Sequence, residues 1–114
     1  MLIPDDLKQI VDLEIAAFCH RKVAPSARDK VRLTHKWRGS KVTLIEQYPL
    51  LDEPGEWKTC PVAQFRFNSK NHDWTLLCQD LNHHWQIYDE MAGARGILGL
   101  LLEVDQDPTG IFWG

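Results

Sequence analysis

The chain has 114 residues, 44% hydrophobic and 25% charged, with a net charge of −3. That length fits one domain spanning 1–114 with a core of its own, and the composition excludes intrinsic disorder. No stretch approaches the ~20 apolar residues of a membrane span. The start Met1-Leu2-Ile3-Pro4-Asp5-Asp6 lacks an export-signal pattern, and the odd set Cys19, Cys60 and Cys78 reads as free thiols, so a cytoplasmic domain is expected.

The first helix is expected from about Pro4 to about His20. Pro4 suits a first helical position, Asp5, Asp6 and Asp12 lie toward the positive end of the dipole, and Leu7, Ile10, Val11, Ile15 and Phe18 form an apolar stripe. Two alternating runs, 30–38 and 41–48, flank Gly39-Ser40, the two-residue loop of a type II′ hairpin. Pairing about that loop sets Trp37 opposite Val42, His35 opposite Leu44 and Leu33 opposite Glu46. One face then carries Val31, Leu33, Trp37, Val42, Leu44 and Tyr48; the other carries Arg32, Thr34, Lys36, Arg38, Lys41, Thr43, Ile45 and Gln47.

Pro49 and Pro54-Gly55 mark a surface loop. A third strand is expected at 61–67, with Ala63, Phe65 and Phe67 on the covered face and Val62, Gln64 and Arg66 on the other. A fourth follows at 74–79, with Trp74, Leu76 and Cys78 covered. A short fifth strand sets Trp85 and Ile87 against His84, Gln86 and Tyr88. The second helix is expected near 93–105, with Ala94, Ile97, Leu98, Leu101 and Leu102 buried. Gly93, Gly96 and Gly99 each cost up to ~1 kcal/mol in a helix interior. Either that helix starts late or its glycines allow close approach to the sheet. The fold class is therefore α+β: a five-stranded antiparallel meander with an N-terminal and a C-terminal helix on one face.

Three sets of residues carry a resemblance. They are Phe18-Cys19-His20-Arg21-Lys22-Val23-Ala24-Pro25, then Pro61-Val62-Ala63-Gln64-Phe65-Arg66 with the Trp74, Asp80, Asn82, Trp85, Tyr88 series, and the ending Asp107-Pro108-Thr109-Gly110-Ile111-Phe112-Trp113-Gly114. On these the chain resembles a family of small bacterial proteins catalogued as a domain of unknown function. The resemblance implies a bacterial cytoplasmic domain ending at Gly114, and it transfers no catalytic residue.

Familiar chemistries find little footing. His20, His35, His72, His83 and His84 form no His-x-x-x-His pair and the cysteines no Cys-x-x-Cys pair, so no metal is expected. Asp105-x-Asp107-x-Thr109-Gly110 copies half a calcium loop without its closing glutamate. Ser26, Ser40 and Ser69 lie in turns without a nucleophile elbow, adjacent Cys19 and His20 point apart on a helix, and no glycine-rich phosphate loop occurs. No catalytic residue and no cofactor are implied. Glu46 and His35 fall on the covered face, where a lone charge is costly, and Arg21 or Arg28 are candidate partners.

Charge is unevenly spread. Residues 20–41 hold eight cations against Asp29, net +7, whereas residues 72–114 hold Arg95 against seven acids, net −6. The leading reading is a non-enzymatic binding module. Its basic sheet face, Arg32, Lys36, Arg38, Lys41 and Arg66, would meet an anionic partner, nucleic acid among the candidates. For single-strand stacking that face offers only Tyr88. The alternative is a protein-interaction or self-association domain. It would join the basic 20–41 segment to an acidic protein or to the acidic C-terminal region, with the tail Ile111, Phe112 and Trp113 as partner surface. A small enzyme is the third reading. The tail is expected to dock on the domain's own core, turned back by Pro108 and Gly110.

Overall fold

The computed structural model describes residues 3–91 and 93–113. In chain order the elements are α1 (Asp5–Lys22), β1 (Arg32–Arg38), β2 (Lys41–Pro49), β3 (Trp57–Asn68), β4 (Asp73–Gln79), β5 (Trp85–Ile87), β6 (Gly93–Ala94) and α2 (Ile97–Gln106). Short 3-10 turns occupy Pro25–Ala27 and Asp89–Met91. The sheet is an antiparallel meander in the order β1-β2-β3-β4-β5, with β6 also pairing β4. The fold is α+β.

The hairpin forms in the expected register: Trp37 pairs with Val42, His35 with Leu44 and Leu33 with Glu46. Gly39 takes φ 61°, the left-handed value that the first loop position of a II′ turn requires. One sheet face meets both helices. Val42, Leu44, Ala63, Phe65, Phe67, Trp74, Leu76 and Cys78 pack there with Val11, Ile15 and Phe18 of α1 and with α2. Trp74 sits between Trp37 and Phe67, with ring centroids 6.4 and 5.2 Å away.

Five expectations are corrected. Ile10 is 54% exposed, and Cys19 takes its place in the buried stripe of α1. Tyr48 is exposed, because β2 runs past the helical cover. The third strand starts at Trp57, inside the expected loop, and carries a bulge: Leu44 pairs with Ala63 but Ile45 with Pro61. The extra residue, Val62, joins the core instead of the uncovered face, since a bulge breaks the two-residue alternation.

The second helix starts after Gly96. Gly93 belongs to β6, where a Cβ would lie 2.9 Å from the Trp74 carbonyl oxygen, so the backbone approach there requires glycine. The buried stripe of α2 is Ile97, Leu100, Leu101 and Val104, while Leu98 and Leu102 are exposed.

The fifth correction matters most for function. Cys78 pairs with Gln86 and Gln79 with Trp85, so Gln86 shares the helical side with Cys78, and Trp85 and Ile87 share the open side with Gln79 and Leu77. Tyr88, expected on the open face, is buried against Phe112 at 4.9 Å between ring centroids, and its hydroxyl donates to Glu103 Oε2 at 2.7 Å.

Candidate functional site

The side of the sheet away from the helices collects the five basic residues singled out from the sequence. Arg38, Lys41 and Arg66 are consecutive partners across β1, β2 and β3, ending on Thr75 of β4. The next row on the same face runs Lys36, Thr43, Gln64, Leu77 and Ile87. Arg32 lies at the far end of β1 opposite Gln47. Strands stand ~4.8 Å apart, so three adjacent cations span about 10 Å.

Gln64, the buried polar side chain of the set, organises the centre. Its amide donates to Thr43 Oγ1 at 3.1 Å, and its carbonyl oxygen accepts from Arg66 Nε at 2.7 Å. Arg66, half-buried, is thereby held through Nε. Like charges directly opposite across a ladder destabilise a sheet, and Arg38–Lys41–Arg66 places them twice in one row. Among the described residues none of the five cations forms an ion pair. Among the strand residues of this face only Asp73, at the start of β4, is acidic.

Aromatic surface flanks the cations. Arg32 stacks over the Trp57 ring with its guanidinium carbon 3.7 Å from the centroid. Across the sheet, Trp85 is partly exposed beside Ile87, which is 54% exposed. Trp57 and Trp85 escaped the sequence reading for two reasons. The first follows Pro54-Gly55, a loop signal, and the second lies in a three-residue strand too short to fix its own phase. The net +7 of residues 20–41 points to Arg32, Lys36, Arg38 and Lys41, and the alternation of the third strand to Arg66.

Apart from Asp73, the acids of residues 72–114 lie on α2 or in the turns and loops. Asp105 pairs with Lys22 at 2.9 Å, and Glu103 takes the Tyr88 hydroxyl. His35 finds its partner in Asp12 rather than in Arg21 or Arg28. Asp12 Oδ1 accepts from His35 Nε2 at 2.6 Å and from Trp37 Nε1 at 2.9 Å, while Arg28 bonds His20 at 3.1 Å. Glu46 accepts from the Tyr48 hydroxyl.

The hydrogen bond from His35, followed by that from Trp37, lowers the Asp12 carboxyl below its ordinary value of 3.8. A depressed folded pKa contributes stability above the unfolded value, and that stability is lost as pH falls through the folded value. The melting midpoint of wild type should therefore exceed that of Asp12→Asn at neutral pH, with the gap closing below about pH 4. A gap that stays constant down to pH 2.5 would remove this role for Asp12.

Neither buried thiol is poised for chemistry. Burial pushes Cys19 up to about 11 and raises Cys78, which keeps both protonated at neutral pH. In the half calcium loop, Asp107 takes φ 44° at the end of α2, and its carboxylate accepts the Phe112 and Trp113 amides at 3.1 and 2.9 Å. With Asp105 on Lys22, these oxygens already have partners. The tail folds back: Phe112 is buried, Trp113 is partly buried with Nε1 donating to the Val104 carbonyl at 2.7 Å, and Ile111 stays exposed. Gly114 lies outside the described residues. Among the described residues no group of three metal-ligating side chains occurs, and no helix is long and apolar enough to cross a membrane.

These features define a small α+β domain with two helices on one face of an antiparallel meander and a cationic, tryptophan-flanked face on the other. A family model described as Domain of unknown function (DUF3024) matches residues 3–114, and the chain belongs to that family. No curated protein and no solved structure matches it.

Proposed function

We propose that the domain binds single-stranded nucleic acid on the open sheet face, with no catalytic step. The observation that carries this reading is the Arg38–Lys41–Arg66 row, extended by Lys36 and Arg32: five cations without acidic partners among the described residues, two of their contacts like-charged. A chain that tolerates this cost gains it back when an anion neutralises the row. Phosphates supply the charge, and bases have the Trp85 ring and the Arg32–Trp57 stack to lie against. A single strand suits a flat face better than a duplex, because its bases are free to turn onto the rings.

The test is fluorescence anisotropy with a 15-nucleotide oligothymidylate. Neutralising three to five phosphates of a single strand gives a salt slope near −0.7 per phosphate, so affinity should fall about 20- to 130-fold between 50 and 200 mM salt. Arg66→Ala should reduce that slope by about 0.7. Trp85→Ala should weaken binding about fivefold or more, since a base stacked on an aromatic ring is worth ~1–3 kcal/mol. No binding at 50 mM salt, or equal affinity for wild type and both variants, would overturn the reading.

A further inference from the structure

Strand β1 is one edge of the sheet. The two-residue loop makes Arg38 and Lys41 the closing hydrogen-bonded pair, and such pairs alternate along an antiparallel ladder. Arg38, Lys36, Thr34 and Arg32 therefore exchange their backbone bonds with β2. Trp37, His35 and Leu33 direct their N–H and C=O groups outward. Among the described residues no other backbone group bonds to these three.

Beside this edge runs a groove of about 450 Å³ between β1 and the C-terminal half of α1. Ala16 and Cys19 line it from α1, Val23 from just beyond the helix end, and Val31, Leu33 and His35 from the strand side. Arg28 and Arg32 also line it. A strand's length of unpaired backbone next to an apolar groove is the arrangement that accepts an extended peptide by strand addition.

We propose that this groove takes an acidic segment of a partner protein, added beside β1 as a further strand. The chemistry of the segment follows from the alternation of β1. Residues set opposite Leu33 and His35 point to the groove and must be apolar. Residues set opposite Arg32, Lys36 and Arg38 point to the open face and must be acidic. The partner motif is thus alternating acidic and apolar. A second copy of this chain does not fit, because pairing β1 with another β1 would bring the same cations face to face. The inference stands on the edge and the groove rather than on the nucleic-acid reading, but it shares Arg32, Lys36 and Arg38 with it. Peptide and oligonucleotide therefore compete.

The experiment titrates the full chain with a fluorescein-labelled peptide of four Glu-Val repeats, against a control of four Glu-Ser repeats. The Glu-Val peptide should bind at least tenfold more tightly and shift the amide resonances of Leu33, His35 and Trp37. Ala16→Glu, on an exposed position of the groove wall, should weaken it at least fivefold without moving the melting midpoint or oligothymidylate binding. Trp85→Ala should leave the peptide unaffected, which separates failure of this proposal from failure of the nucleic-acid reading. Equal binding of the two peptides, no binding at millimolar concentration, or resonance shifts confined to the open face would overturn it.

Discussion

Phe65→Ala is expected to lower the unfolding free energy by ~3–5 kcal/mol in urea denaturation. Phe65 is wholly buried on the central strand β3, with Val42 beside it on β2 and Leu76 on β4. Its removal takes away the burial of a large ring and leaves a cavity between sheet and helices that packed neighbours close only in part. Phe65→Leu keeps most of the volume and should cost less than about half as much. A loss below ~1 kcal/mol for the alanine variant would mean that the two sheet faces are assigned the wrong way round.

Truncation after Gly110 is the second large effect. Burial of Phe112 contributes ~1.5–3 kcal/mol, and partial burial of Trp113 adds to it. The two amides on Asp107 and the indole bond to Val104 add about 1 kcal/mol each or more. Ordering three residues costs ~1–2 kcal/mol apiece. The middle of these ranges leaves a net of about 2 kcal/mol, or roughly 8 °C in the melting midpoint of a domain of this size. Asp107→Ala should reproduce part of that loss by releasing both amides. An unchanged midpoint, accompanied by loss of an oligomer or partner, would instead make Ile111, Phe112 and Trp113 a surface for another chain.

Much of this architecture is legible in the residues. The hairpin about Gly39-Ser40 has seven pairs whose alternation agrees on both strands, so one loop length and one apolar face reinforce each other. The same redundancy placed Phe65, Trp74 and Leu76 in the core and set Arg32, Lys36, Arg38, Lys41 and Arg66 together on the other side. Legibility failed where that redundancy ran out. Three residues of β5 contain too few alternations to choose a face, and Tyr88, apolar in body and polar at its tip, reads either way. Ile97, Leu98, Leu100, Leu101 and Leu102 make several faces of α2 look apolar, so periodicity alone could not say which one the sheet would cover.

Composition and alternation, acting on near neighbours, thus determined the α+β class, the hairpin register, the core of the central strands and the cationic face. Only the tertiary structure decided that Val62 turns inward at a bulge, that Gly93 lies against the Trp74 carbonyl, that His35 is answered by Asp12, and that Trp57 and Trp85 flank the cations. The reason is physical. Each of these depends on which backbone or side chain of another element arrives at the site, and the pattern within one element carries no information about that partner.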